Sequence, residues 1–327
     1  MQFSFTSDQL EFAAGLREML EREFTAARLR EVWEDGSGHE PKLWSRLAEM
    51  GVLGMLVAEA DGGLGGSFVD AILLVEELGR AAVPGPAFET MTVGAVALAG
   101  TPLASSVADG TTLVTAALMG ERYIPHATSA TVLLTVFEDD VHAIEDPALS
   151  DEALEGIDGG RRLSRLADHV QGGTVLPVDR EQLIDAGALA AAAYLLGLSS
   201  RMIAIAGDYA RDRKQFGQPI GAFQAVKHLM ADALLKVEFA RPAVYRAAWS
   251  FATDSPDRAR DVSMAKALAS DAAQKAARSA LQVHGAIGYT WECDLQLFMK
   301  KAWALIPAWG SPQHHRRRVA DAVLGPR

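Results

Sequence analysis

The stretch of sequence that decides the fold is RDRKQFGQPIGAFQAVKH, residues 211–228. Arg213 offers a planar fork of N–H donors that suits a pyrophosphate. Phe216 offers a flat apolar face, and Gln215 and Gln224 offer amide donors and acceptors on either side of a predicted turn. The stretch is therefore typical of one end of a site for a ligand that carries phosphates and a ring system.

A second stretch, QVHGAIGYTWECD, occupies residues 282–294. It lacks side-chain bulk at Gly285, Ala286 and Gly288, so a ligand can approach the backbone closely. Taken singly, each stretch has a plainer explanation. A basic helix end is usually a solvated terminus, and glycines after a helix usually form a C-cap.

Together, and in this order, the two stretches resemble the acyl-CoA dehydrogenase family. Residues 57–80, VAEADGGLGGSFVDAILLVEELGR, resemble the N-terminal helical domain of that family. In the family, the Arg-x-Gln-Phe-Gly and Gln-x-x-Gly-Gly segments hold the ADP part of an FAD whose flavin lies in the neighbouring subunit. By matching position, the resemblance implies FAD contacts for Arg213, Gln215, Phe216, Gln224, Gln282 and Gly285, with Ala286 in place of the second glycine.

The predicted fold is α-helical with a small central β-domain. Apolar residues at helical spacing predict an N-terminal helical domain over residues 1–107. The runs LVTAAL, ATVLLTVF and GTVLPV predict strands of a reduced β-barrel over residues 108–178. Ala- and Leu-rich segments predict a C-terminal four-helix bundle over residues 179–327. Its four long helices are expected to start near Arg180, Phe223, Asp257 and Leu295.

Composition limits the class of protein. Among 327 residues, 49% are hydrophobic and 22% are charged, as in ordinary soluble proteins. A net charge of -11 argues against nucleic-acid binding, which relies on clustered cations. The single cysteine, Cys293, fits a reducing cytoplasm. We expect no membrane segment, because no apolar run reaches about 20 residues. We also expect no metal site, because His314 and His315 lack a third ligand at suitable spacing.

The chemistry of the family needs a carboxylate that accepts the α-proton of an acyl-CoA, and a flavin that accepts the hydride. The two positions where active relatives carry this glutamate fall on Gly187 and Trp309, and neither residue can accept a proton. Asp185 and Glu181 remain as weak candidates for the base. For both, a helix-cap or surface role is the plainer expectation.

The β-domain lacks a second element of the family. The Thr-Glu-Pro and Gly-Ser segments that hydrogen-bond the flavin ring are absent, and LVTAALMG, residues 113–120, stands in their approximate place. The chain thus keeps what a subunit lends to its neighbour's FAD and lacks what it needs for its own flavin and proton transfer.

The resemblance therefore implies a non-catalytic, FAD-clamping subunit of a heteromeric acyl-CoA dehydrogenase, whose catalytic partner subunit carries the glutamate. It resembles the short subunits of actinobacterial α2β2 enzymes that act on bulky CoA thioesters such as steroid side chains. Two alternatives stay open. One is an active homo-oligomeric dehydrogenase with Asp185 or Glu181 as base, and the other is a binding or structural protein that kept the fold without redox chemistry.

Overall fold

The structure, a computed structural model, describes residues 4–154 and 156–325. Its N-terminal part is helical, as predicted. The α-helices before the strands are α1 (Ser7–Glu23), α2 (Ala26–Glu34), α3 (Pro41–Glu49), α4 (Phe68–Arg80), α5 (Ala95–Ala97) and α6 (Ala104–Ala108). A 3-10 turn (Glu59–Asp61) precedes α4, and a π-helix (Glu89–Gly94) leads into α5.

Local chemistry explains where these helices begin. Thr6 caps α1 in a capping box with Gln9: each side chain bonds the backbone of the other residue. Pro41 opens α3, where its fixed φ and missing N–H cost nothing. The glycine-rich loop at 61–67 folds back on the preceding turn, because Gly65 and Gly66 donate their N–H groups to Val57 and Met55. These hydrogen bonds make the loop a structural connector between the preceding turn and α4.

The central part contains two small sheets. Its strands are β1 (Val114–Ala117), β2 (Ile124–Pro125), β3 (Val132–Phe137), β4 (Asp140–Glu145), β5 (Leu149–Leu154), β6 (Leu163–Leu166) and β7 (Thr174–Leu176). Over the described residues the sheet orders are β1-β3-β4-β7 and β2-β6-β5. The three predicted runs are β1, β3 and β7. The other strands were missed because they are short or carry polar residues on an exposed face.

The C-terminal part is built on α7 (Arg180–Asp212), a 33-residue helix buried along most of its length. After it come the short strands β8 (Lys214–Gln215) and β9 (Gln218–Pro219), a 3-10 turn (Ile220–Ala222), α8 (Gln224–Ala252), α9 (Arg258–His284), a 3-10 turn (Gly285–Tyr289), α10 (Leu295–Leu305) and α11 (Pro312–Leu324). Helices α7 to α10 each begin within one residue of the predicted start. The prediction that α10 is long is wrong, because Pro307 has no N–H with which to continue the helical hydrogen bonds.

Helix α7 also corrects an expectation about apolar segments. It contains an 18-residue window that is long and apolar enough to cross a membrane by length and composition. However, 72% of that window is buried inside the protein, as in the core helix of a soluble protein, which passes the same test. The helix is therefore weak evidence for a membrane span.

The backbones of α4 and α7 touch where the two helices cross. A Cβ atom on Gly197 would collide with the carbonyl oxygen of Glu76, and one on Gly79 would collide with the carbonyl oxygen of Tyr194. This crossing fixes the position of α7 against the N-terminal helices.

We predict that Gly197→Ala lowers the free energy of unfolding by about 3 kcal/mol or more, because a backbone atom cannot move aside as a side chain can. The matched control is Gly207→Ala in the same helix, where a Cβ would meet nothing within 4 Å. The free energy of unfolding of that variant should rise by up to about 1 kcal/mol, because alanine has a higher helix propensity than glycine. Urea denaturation measures both, and equal effects would show that the crossing is not tight.

Candidate functional site

The two predicted FAD segments lie side by side at one end of the C-terminal helices. Two ion pairs set the antiparallel register of α8 and α9: Asp232 with Lys275 at 3.8 Å and Arg246 with Asp261 at 3.1 Å. Gln224 lies eight residues before Asp232, and Gln282 lies seven residues after Lys275. The two glutamines therefore stand at nearly the same level, and both are exposed.

A stacked ring pair joins the ends of α7 and α9. The rings of Tyr209 and His284 lie 4.4 Å apart between centroids, with an angle of 16° between their planes. His284 Nδ1 lies 2.8 Å from the carbonyl oxygen of Ala280, and the carbonyl of Tyr209 accepts the N–H of Arg213 at 2.9 Å. The stack thus joins the end of α7, which is followed by Arg213, to the end of α9, which is followed by Gly285. The sequence did not single out either ring.

Phe216 stands at the tip of the β8–β9 hairpin. It has a φ of +53° and Gly217 has a φ of +83°, so both turn residues are left-handed, as in a type I′ hairpin. The Phe216 side chain is 93% exposed and lies roughly perpendicular to the ring of Phe223, 6.2 Å away between centroids. An aromatic residue is a costly choice for such a position. A ring displayed in this way is suited to contact with another molecule.

The backbone conformation at position 285 requires a glycine. Its φ of +62° and ψ of -139° are open almost only to glycine, yet a Cβ atom there would meet nothing within 4 Å. The space above it is open, and Ala286 beside it is exposed. Gly288 behaves differently, since a Cβ there would lie 2.8 Å from Leu281. The small size of Gly288 therefore serves packing, which corrects the expectation that all three positions face a ligand.

These residues fit the ADP part of FAD as one half of a site. Arg213, Gln215, Gln224 and Gln282 are all exposed. Within the described chain, the Arg213 guanidinium has no carboxylate partner, so its donors are free for a pyrophosphate. The donors lie on an open surface, and water competes with a ligand there until another molecule covers them.

The stretch at 113–120 offers no free polar side chain to a flavin ring. Its one polar side chain is that of Thr115, which is fully buried. The Thr115 hydroxyl donates a hydrogen bond to the carbonyl of Pro125 at 2.5 Å, so it is already used inside the β-domain. This local structure agrees with the absence of the ring-binding element from the sequence.

Gly187 and Trp309, the two positions on which the family's base is predicted to fall, touch each other. A Cβ atom on Gly187 would collide with the indole ring of Trp309. The Trp309 side chain is buried, and its backbone is left-handed with a φ of +56°. The indole therefore fills the space beside Gly187, and no proton acceptor stands at either position.

The interior next to this contact is also filled. Tyr194 lies on the same face of α7 as Gly187, two helical turns further on. Beside Tyr194, the side chains of Glu89, Arg161 and Lys301 line a cavity of about 20 Å³. That volume holds roughly one water molecule. Burial raises the pKa of Glu89 to about 7, and Glu89 Oε2 has no hydrogen-bond partner among the described residues.

Two basic side chains lie under the Trp309 turn. Lys266 was not singled out from the sequence, and His315 was considered there only as a metal ligand. Lys266 and His315 are both fully buried. Burial lowers the pKa of Lys266 to about 7 and that of His315 to about 3. Lys266 lies in an Ala-rich helix whose periodicity does not distinguish a buried lysine from a solvated one.

Comparison with known proteins decides the family. Residues 6–105 match the acyl-CoA dehydrogenase N-terminal domain, and residues 177–324 match the acyl-CoA dehydrogenase C-terminal domain. The chain belongs to the acyl-CoA dehydrogenase family. The family is FAD-dependent, so the predicted family, fold class and cofactor are confirmed at that level.

Similar acyl-CoA dehydrogenases come from mycobacteria. The chain is 33% identical over 310 residues to acyl-CoA dehydrogenase IpdE2 of Mycolicibacterium smegmatis, covering 94% of this chain and 96% of that one. It is 33% identical over 296 residues to FadE34 of Mycobacterium tuberculosis, covering 85% of this chain but 41% of FadE34.

Two solved structures share the fold over nearly the whole chain. A variant of the Tcur3481-Tcur3483 steroid ACAD superposes with a TM-score of 0.89 at 26% identity, covering 97% of this chain and 98% of that chain. The ChsE4-ChsE5 complex from Mycobacterium tuberculosis superposes with a TM-score of 0.87 at 22% identity, covering all of both chains. The second likeness shows the fold alone.

The carboxylates left near the start of α7 are held by arginines. Asp185 is 1% exposed and accepts from Arg318 at 2.9 Å and from Arg258 at 3.4 Å. Glu181 accepts from Arg318 at 3.4 Å. Asp185 also lies two residues before Gly187, which places it on a different face of α7. This arrangement favours a structural role for both carboxylates in this acyl-CoA dehydrogenase.

We predict that Gly187→Ala destabilises the protein by about 1–3 kcal/mol or more, because the new methyl group collides with the indole of Trp309. In a Trp309→Ala background the same change should cost little, since the colliding ring is gone. A double-mutant cycle by urea denaturation measures this coupling. Additive effects would show that the two residues do not share the space.

We predict that Lys266 makes stability rise with pH. Its folded pKa of about 7 lies below the unfolded value of about 10.5, so its contribution is fully present above pH 10.5 and is lost as the pH falls to 7. The lost stability has a ceiling of roughly 5 kcal/mol. Urea denaturation from pH 7 to 10 should show a slope that Lys266→Met abolishes. An unchanged slope in Lys266→Met would contradict the assignment.

Proposed function

We propose that this chain is the non-catalytic, FAD-clamping subunit of a heteromeric acyl-CoA dehydrogenase. The observation that carries the proposal is the contact of Trp309 with Gly187. At the two positions that hold the base in active relatives, this chain has Trp309, whose indole cannot accept a proton, and Gly187, which has no side chain. A partner subunit must therefore supply the glutamate that accepts the α-proton.

The part that this chain plays is binding and orientation. FAD, when bound, supplies the hydride acceptor for dehydrogenation of the acyl thioester between its α and β carbons. Arg213 would pair with the pyrophosphate. Gln215, Gln224 and Gln282 would hydrogen-bond the polar parts of the ADP half, and Phe216 would pack against it. The surface is open, so a partner that covers it also excludes water and strengthens these contacts.

An apolar patch on the same pair of helices supports docking of a partner. Phe239 is seven residues after Asp232 and Leu268 is seven before Lys275, so the register of α8 and α9 places them level with each other. Their exposed fractions are 72% and 39%. Leu235 and Met264 extend the patch and are also exposed. A contiguous exposed apolar patch of this kind marks a protein interface.

The patch and the FAD segments lie along one pair of helices. Gln224 precedes Phe239 by fifteen residues of α8, or roughly 22 Å at the rise of an α-helix. Between them stand charged and polar side chains such as Lys227, His228 and Asp232. A partner that spans this distance would meet a polar FAD-binding end, a charged middle and an apolar far end, which resembles the mixed character of stable interfaces.

The relatives suggest the substrate class and the assembly. The similar structure at 26% identity is named a steroid ACAD, and it combines two differently named chains. FadE34 is matched over 41% of its length, which leaves room within that one protein for a second unit of similar size. We propose an α2β2 heterotetramer in the cytoplasm that dehydrogenates a bulky CoA thioester such as a steroid side chain.

We predict that flavin is retained when this chain is co-expressed with an acyl-CoA dehydrogenase neighbour encoded beside it, and not by the chain alone. In the complex, Arg213→Ala should weaken FAD binding by about 1.5–3 kcal/mol, roughly 10- to 150-fold. The matched control is Arg211→Ala, since Arg211 is also exposed but pairs with Asp208. Flavin absorbance of each preparation during dilution measures the loss.

Three outcomes would contradict the proposal in different ways. Stoichiometric flavin in the chain alone, with turnover abolished by Asp185→Asn or Glu181→Gln, would establish an active homo-oligomer. A chain that never gains flavin with any partner would indicate a binding or structural homologue. Equal weakening by Arg213→Ala and Arg211→Ala would show that the contact is not specific to Arg213.

A further inference from the structure

The turn that carries Trp309 is surrounded by basic side chains. Three of them, each from a different part of the chain, meet backbone carbonyls between residues 304 and 310. Arg161 donates to Ala304 at 2.8 Å, Lys266 donates to Ile306 at 2.8 Å with Leu305 at 3.5 Å and Gly310 at 3.4 Å, and His315 lies 2.8 Å from the carbonyl of Trp309. We call Arg161, Lys266 and His315 the cage.

The cage contacts carbonyls at and just after the C-terminal end of α10. Those of Ala304 and Leu305 lie in its last turn, where the negative end of the helix dipole favours cations. Those of Ile306, Trp309 and Gly310 follow the helix. His315 must donate from Nε2 to the carbonyl of Trp309, so its Nδ1 is left to accept from the Ser263 hydroxyl at 3.2 Å. The cage thus gives hydrogen bonds to the carbonyls of Ala304, Ile306 and Trp309.

Burial of Lys266 costs folding free energy, and the hydrogen bonds that it makes in return are almost all to this turn. The side chain is 0% exposed, and no described carboxylate lies within ion-pair distance of it. Apart from these hydrogen bonds to carbonyls, Lys266 Nζ donates to the Ser270 hydroxyl at 3.4 Å. A buried lysine without a counter-ion is strongly destabilising. Its contacts are almost all to the Trp309 turn, so the turn is what it serves.

The cage fixes an unusual backbone. Trp309 and Gly310 are both left-handed, with φ of +56° and +95°. A Cβ atom on Gly310 would lie 2.7 Å from His315 Nε2, so only glycine lets the imidazole come this close. This geometry directs the indole of Trp309 inward onto Gly187.

We infer that Trp309 is a plug, pinned by the cage of Arg161, Lys266 and His315, that closes the place in this chain where an acyl group would otherwise lie. The inference rests on the proposed function, because the space beside the missing base is the acyl site of an active relative. The plug confines the acyl-CoA to the partner's active site, so each pair of subunits handles one substrate rather than two.

The plug is tested by removing it from the full-length chain. Trp309→Gly keeps the left-handed backbone and leaves an indole-shaped space, so added indole should bind saturably and raise the Tm with its concentration. The wild type should not bind indole. Trp303→Ala, on the half-buried face of α10, is the control that loses a tryptophan without opening this space. A folded Trp309→Gly protein that binds no indole would overturn the plug.

The cage is tested by hydrogen exchange at the backbone amides of Ile306, Ala308, Trp309, Gly310 and Ser311. Lys266→Met and His315→Leu should raise their exchange at least about tenfold. His315→Gln should stay near the wild type, because its amide can donate from almost the same place as Nε2. Lys300→Met on α10, which does not contact the turn, is the control. Unchanged exchange in folded Lys266→Met and His315→Leu would overturn the cage.

These measurements separate the inference from the proposed function. They use no flavin, so a chain that bound flavin alone would overturn the subunit role without altering the indole result. Conversely, a flavin-dependent complex in which Trp309→Gly binds no indole would keep the subunit role and reject the plug. If Trp309→Gly does not fold, the exchange experiment on the cage variants decides.

Discussion

The close crossing of α4 and α7 at Gly79 and Gly197 is the contact on which the rest of the structure depends. It places one long helix through the centre of the protein with its backbone fixed. The start of α7 then brings Gly187 to Trp309, and its end carries Arg213 to the surface. Because a helix is stiff over this length, the interior contact and the FAD segments keep a constant relation to each other.

Basic side chains gather near the end of α10 although the chain as a whole is acidic. The net charge is -11, yet Lys266 and Lys301 are buried there and Arg161 is half-buried. Asp158 pairs with Lys301 at 3.4 Å, and Glu89 stays without a hydrogen-bond partner on one oxygen among the described residues. Polar interiors of this kind are retained when they fix one arrangement. Here the arrangement is the filled interior around Tyr194 and Trp309.

The sequence allowed the helical parts and the three main strand runs to be predicted, because these follow from periodicity. The family resemblance led us to expect the two predicted FAD segments in one site. The sequence did not reveal the Tyr209–His284 stack, or the burial of Lys266, His315 and Glu89. These depend on contacts between distant residues, and a polar residue in an Ala-rich helix has the same local pattern whether buried or exposed. The sequence showed that Gly187 and Trp309 cannot serve as bases. Only the structure showed that they touch, because residues more than a hundred positions apart carry no mark of contact in one sequence.

The exposure of Phe216 affects how the single chain associates with other proteins. With Phe239 and Trp291 it leaves three large aromatic side chains at 93%, 72% and 55% exposure on the surface of the single chain. Uncovered aromatic surface promotes non-specific association. Under the proposed function a partner covers part of this surface, so a surplus of the chain over that partner would promote such association.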